Sequence, residues 1–108
     1  MNYNVLTVPQ FEKDIKKLSK KFKRIKQDLA MLIDSLAEDA KQGTLLSDNL
    51  YKIRLANSST STGKSGGFRV ITYLIDEQNN LYLLAIYSKT EKENISDNEI
   101  KEVLKSIE

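Results

Sequence analysis

Phe68-Arg69-Val70-Ile71-Thr72-Tyr73-Leu74-Ile75-Asp76-Glu77-Gln78-Asn79-Asn80-Leu81-Tyr82-Leu83-Leu84-Ala85-Ile86-Tyr87-Ser88 reads as two strands joined by a polar turn. The first eight residues are rich in β-branched and aromatic types, which suit a pleated sheet. Asp76 to Asn80 is the hairpin connection. Leu81 to Ser88 is apolar almost without interruption, which predicts a central strand buried on both faces. Upstream, Tyr51, Ile53 and Leu55 alternate with Lys52, Arg54 and Ala56, the pattern of a half-buried strand. Residues 57–67 are rich in Ser, Thr and Gly and form a loop.

Nearer the N-terminus the period changes. Residues 3–8 predict a short strand, and Thr7 to Gln10 a helix start with Pro9 in its first turn. Phe11, Ile15, Leu18, Phe22, Ile25, Leu29, Leu32, Leu36 and Ala40 then recur at helical spacing. One helix of that length would reach roughly 45 Å, whereas a domain of this size is roughly 30 Å across. A break near Ser19–Phe22 and a helical hairpin are therefore expected, with Gly43 ending the second helix. A single helix in a coiled coil has the same periodicity. At the other end, Ser96 and Glu99 match a capping box, Ile95 and Ile100 a hydrophobic staple. Ile100, Val103, Leu104 and Ile107 give the following helix one apolar face. The expected fold is α+β in one domain, residues 1–108, ordered β-α-α-β-β-β-α. A small antiparallel-rich sheet carries the helical hairpin on one face, with the last helix at the C-terminus.

Composition narrows the chemistry. Histidine and cysteine are both absent. That excludes a Ser-His-Asp triad, histidine or thiolate metal sites, and a disulfide framework. No metal and no cofactor is expected. A chain without cysteine suits a reducing cytoplasm. No apolar run approaches a membrane span, and Met1 to Asn4 does not open a secretory signal. A cytoplasmic protein without a membrane partner is expected. The net charge of +2 conceals two basic zones. Residues 11–26 hold eight Lys or Arg against two acids, and residues 52–69 hold Lys52, Arg54, Lys64 and Arg69 with no acid.

Gly63-Lys64-Ser65 resembles the end of a P-loop, but position 58 is serine and Gly66-Gly67 leads into a strand, so a nucleotide-binding loop is not expected. Strand alternation is more informative. Lys52 and Arg54 share one face. Arg69, Ile71 and Tyr73 share one face of the next strand, and Leu83, Ala85, Tyr87 and Lys89 one face of the last. If these faces coincide, cations and a phenol gather on one side of the sheet, reached by Lys64 from the loop and without a cluster of carboxylates beside them. Arg69 is expected to point away from the core. Gathered cations repel one another, and a bound polyanion relieves that cost.

Leu50-Tyr51-Lys52-Ile53-Arg54-Leu55, Gly63-Lys64-Ser65-Gly66-Gly67-Phe68-Arg69-Val70-Ile71 and Leu83-Leu84-Ala85-Ile86-Tyr87-Ser88-Lys89-Thr90-Glu91, in this order and spacing, resemble the RelE/HigB family of toxins. The resemblance implies a type II toxin that cleaves mRNA on the ribosome and is neutralised by a cognate antitoxin protein. It assigns Arg54, Lys64, Arg69, Tyr87 and Lys89 to the catalytic set and Lys52 to RNA binding, and Tyr73, on the face of Arg69, is expected to join Lys52 in binding RNA. Ser65 departs from relatives that carry a further basic residue there. The residue types fit metal-free attack by a 2′-OH. Arginines stabilise phosphate charge, a lysine crowded by other cations suits a base, and tyrosine stacks on a base or donates a proton. Two alternatives remain open at this point: a toxin of the same fold acting on a protein such as DNA gyrase, and a nucleic-acid-binding module without catalysis.

Overall fold

The computed structural model describes residues 2–60, 66–92 and 94–107. The predicted hairpin is present as β4 (Phe68–Ile75) and β5 (Asn80–Ser88), joined by a short 3-10 turn at Asp76–Gln78. Asn79 closes that turn in the left-handed region, at φ 55°, a conformation asparagine tolerates better than most residues. The remaining elements are β1 (Asn4–Thr7), α1 (Pro9–Ser19), α2 (Ile25–Glu38), β2 (Thr44–Ser47), β3 (Leu50–Leu55) and α3 (Asp97–Leu104). The sheet order is β1-β5-β4-β3-β2. Only β1, lying parallel to β5, departs from antiparallel pairing. The architecture is α+β, as expected, with one strand more than the sequence pattern announced.

That strand, β2, eluded the pattern because Leu45 and Leu46 are both exposed, leaving no alternation to detect. Gly43 does not end α2, which stops at Glu38. It prepares the entry into β2 instead. Its φ is +92°, and a Cβ there would lie 2.4 Å from the carbonyl oxygen of Lys52. Only glycine allows the chain to pass β3 that closely.

The long helical pattern breaks where its length required. The molecule is 38 Å in its longest dimension, too short for one continuous helix. Between α1 and α2, Phe22 turns inward and meets Phe68 edge to face at 5.4 Å. This contact puts the helical hairpin over the face of the sheet that holds Phe68 and Val70, both fully buried. Burying a side chain such as Phe68 contributes about 1.5–3 kcal/mol.

β5 contains a bulge. Ile71 pairs with Ala85, but Thr72 pairs with Leu83, so Leu84 is an extra residue. The bulge reverses alternation below Ala85. Leu83 therefore faces the helical hairpin, contrary to its expected place beside Ala85 and Tyr87. α3 lies on the opposite face. Its Glu99 and Val103 line one cleft with Ala85 and Tyr87, and its Ile100 and Leu104 line another with Lys52 and Tyr73. The predicted capping box is formed: Ser96 Oγ accepts from the Glu99 amide, and Glu99 accepts from the Ser96 amide. Among the described residues, no helix is long and apolar enough to cross a membrane.

Candidate functional site

The register of three strands gathers the site. Arg54 of β3 pairs with Arg69 of β4, and Arg69 pairs with Tyr87 of β5. Paired residues point to the same face, on strands about 4.7–4.9 Å apart. Arg54, Arg69 and Tyr87 thus form a row across the sheet, on the face away from α1 and α2. The next row on that face is Lys52, Ile71 and Ala85, and Tyr73 follows beyond the bulge. Like charges directly opposite one another in an antiparallel pair are destabilising, which makes the Arg54–Arg69 pairing costly unless something compensates it.

Arg54 is exposed, whereas Arg69 is 5% exposed and Tyr87 7%. The expectation that Arg69 points away from the core therefore needs correction. Its side chain does leave the helical-hairpin face, but β4 is the central strand and Arg69 is flanked by Arg54 and Tyr87. One guanidinium nitrogen donates to the carbonyl of Phe68 at 3.2 Å. Tyr87 is covered by the segment leading into α3. Lys92 Nζ stands 5.9 Å from its ring centroid, and its hydroxyl donates to Asn94 Oδ1 at 3.4 Å. Burial raises the Tyr87 pKa above its ordinary value, against opposing pulls from the Arg69 charge and the Ile95 amide. The phenol therefore keeps its proton at neutral pH.

Lys52, half-buried, donates to the same Asn94 oxygen at 3.3 Å. Tyr73 is half-buried and lines the cleft between β3 and α3. Lys89 follows β5 directly, and its amide donates to the Gly67 carbonyl at 2.9 Å. That contact holds Lys89 where the 57–67 loop returns to the sheet. Gly67 is needed at this point, since a Cβ would meet the Leu55 carbonyl oxygen at 2.2 Å. Lys64 lies outside the described residues.

Carboxylates are nearer than the strands alone suggested. α3 brings Glu99 and Glu102 into the cleft that contains Tyr87, and α1 contributes Asp14. Glu99 forms an ion pair with Lys92, which holds its carboxyl below the ordinary value. Asp14 plays a structural part. β1 covers β5 only as far as Leu83, and beyond that point Asp14 accepts the Ile86 amide at 3.2 Å. Burial raises its pKa, against hydrogen bonds from Gln10 and Ile86. Asn94, Lys92 and Asp14 were not among the residues singled out from sequence. They lie outside the alternating strands, and only the folded chain brings Lys92 and Asn94 against Tyr87 and Asp14 to the Ile86 amide. Among the described residues, no group of three or more His, Cys, Asp or Glu is arranged to hold a metal.

Comparison with known proteins agrees with this fold. The family model for the RelE toxin of the RelE/RelB toxin–antitoxin system matches residues 11–107. A mutant of the E. coli toxin RelE in the free state shares the fold at a TM-score of 0.62 and 19% identity, with 100% of both chains covered. The isolated E. coli RelE toxin gives 0.58 and 19%, over 98% of this chain and 99% of that one. A RelE mutant in complex with a peptide of the antitoxin RelB gives 0.52 and 20%, over 94% of each. With nearly its whole length matched by the family model, the chain belongs to the RelE toxin family.

Proposed function

We propose that this protein is the toxin of a type II toxin–antitoxin system, a cytoplasmic endoribonuclease that cleaves mRNA on the ribosome by metal-free attack of a 2′-OH. The observation that carries this is the pairing of Arg54 with Arg69 beside Tyr87. Two facing guanidinium groups match the charge that develops on a phosphorane, and planar donors of this kind bind phosphate oxygens in pairs. Tyr87 is protonated at neutral pH and can offer that proton to the departing 5′-oxygen. Lys52, Lys64 and Lys89 supply candidates for the base that takes the 2′-OH proton, and Tyr73 offers a ring for stacking. A site built from cations and phenols has few groups to align an RNA strand by itself, so ribosomal RNA would supply the in-line geometry.

Tyr87 lies under Lys92 and Asn94, so RNA reaches the full row only when that segment swings outward. A cognate antitoxin would cover the basic face or displace α3. Solved complexes of E. coli RelE with RelB support a partner of that class. An inhibitor of a protein target would not need the cluster of Lys52, Arg54, Arg69 and Tyr87.

Primer extension on cellular mRNA after induction tests the proposal. Discrete cleavage sites that disappear with Arg54→Ala are expected. Growth arrest with intact mRNA would overturn it in favour of a protein target. Tyr87→Phe keeps the ring and removes the proton. A large loss of cleavage is expected, and unchanged cleavage would reduce Tyr87 to a stacking surface. Stoichiometric zinc or manganese in the purified active protein would contradict the metal-free mechanism.

A further inference from the structure

Three hydrogen-bond donors from three parts of the fold converge on one oxygen. Asn94 Oδ1 accepts from Lys52 Nζ at 3.3 Å, from the Tyr87 hydroxyl at 3.4 Å and from the Ile95 amide at 3.0 Å. Lys52 comes from β3, Tyr87 from β5, and Ile95 from the segment before α3. Asn94 itself is exposed and contributes nothing to the apolar core. A neutral amide oxygen makes weak use of such a set. The contacts to Lys52 and Tyr87 are longer than the 2.7–2.9 Å typical of N⁺–H···O⁻ bonds or the 2.5–3.0 Å of hydroxyl donors. A cation, a protonated phenol and a backbone amide are all donors, and together they suit an oxygen that carries negative charge.

We propose that the point held by Asn94 Oδ1 is a subsite for a phosphate oxygen, formed by Lys52, Tyr87 and the Ile95 amide, and that Asn94 is its built-in competitor. The ligand class is a phosphate monoester or diester, and on the nuclease reading, on which the identity of that ligand rests, it is a phosphate of the mRNA. Rotation of the Asn94 side chain vacates the point while the Ile95 amide stays in place. The Lys92–Glu99 ion pair ties the start of the same segment to α3.

The test titrates inorganic phosphate, and separately a short RNA, into the full-length protein and its variants, following the Tyr87 ring resonances by NMR. Asn94→Ala removes the competitor. If the amide holds the subsite about nine-tenths of the time, apparent affinity for phosphate rises about tenfold. Asn94→Asp places a charged competitor there, whose charge-assisted bonds are roughly twice as strong, and affinity falls below that of the natural sequence. Equal phosphate affinity in all three proteins, each with a normal melting curve, would overturn the inference. The outcome is separable from the nuclease assay. Phosphate affinities in the expected order without mRNA cleavage would leave the subsite standing and remove the nuclease. Cleavage with unchanged affinities would do the reverse.

Discussion

The two faces of this sheet are made by the same strands and behave as opposites. Toward α1 and α2, the sheet presents Phe68, Val70, Leu74, Leu81 and Leu83, all sealed from water. Toward α3, it presents Lys52, Arg54, Arg69 and Tyr87, of which Lys52 and Tyr87 touch the segment before that eight-residue helix and Arg54 stays exposed. The difference shows how alternation divides labour within a single strand. Phe68 and Arg69 are chain neighbours, yet one anchors the core and the other belongs to the candidate site. Apolar burial is concentrated under the helical hairpin, and on the polar face α3 buries only Ile100.

Substitutions can break that division, beginning with the largest effect. Phe68→Ala removes a ring buried against Phe22 and is expected to cost about 3–5 kcal/mol in urea unfolding. A loss below about 1 kcal/mol would show that the hairpin face is not the main source of stability. Arg69→Ala sharpens the boundary. Sequence alternation alone places Arg69 on the surface, where truncation costs about 0.5 kcal/mol or less. Its burial beside Tyr87 and its bond to the Phe68 carbonyl raise the expected cost to about 1–3 kcal/mol. Loss of cleavage by this variant alone therefore does not separate site from scaffold.

Thr72 is an exception on the sealed face. Its hydroxyl is fully buried and has no hydrogen-bond partner among the described residues. Thr72→Val replaces it with a methyl group of nearly the same shape and should raise stability by about 1 kcal/mol. A lower melting temperature would mean that the hydroxyl is satisfied in solution.

The smallest effect is acid dependence, which should run in opposite directions on the two faces. Burial raises the Asp14 pKa above its ordinary value. Its charge therefore costs stability at neutral pH, and that cost is relieved as pH falls through the raised value. The Glu99 pKa is lowered, mainly by its hydrogen bond with Lys92. The stability it contributes is present above the ordinary carboxylate value and is lost as pH falls through the lowered one. Because Glu99 is largely exposed, water and salt screen this contribution to a few tenths of a kcal/mol. Amide exchange across an acid titration should show α3 loosening while the α1–β5 contact holds. Glu99→Gln should abolish the acid loosening of α3, and no change on that substitution would remove the ion pair as its cause.

Much of this division was legible in the sequence, and what was hidden has identifiable causes. Phe11, Ile15 and Leu18 announced α1, and Ser96 with Glu99 announced α3. The shared face of Lys52 and Arg54 followed from period-two alternation, whereas their meeting with Arg69 depends on the β3–β4 register. β2 escaped because its leucines are not buried. Leu83 changed faces because a bulge inserts Leu84, and no local residue signals that irregularity. The burial of Arg69 depends on strand order, which places β4 at the centre. The approach of Asn94, Lys92 and Glu99 depends on where α3 docks, a property of the assembled sheet and not of any segment alone. Lys64, assigned to the catalytic set by resemblance, lies outside the described residues and is open to substitution tests only.

Arg54→Ala addresses the candidate site most directly, because Arg54 is the exposed member of the row and its removal leaves the core untouched. Ribosome-programmed mRNA cleavage and thermal melting are measured on the same preparation. A rate reduced by roughly 10²–10³, as for loss of one donor to transition-state charge, with stability within about 0.5 kcal/mol of the natural protein, is the expected result. Full cleavage by a normally folded Arg54→Ala protein would contradict the assignment of this row as the active site.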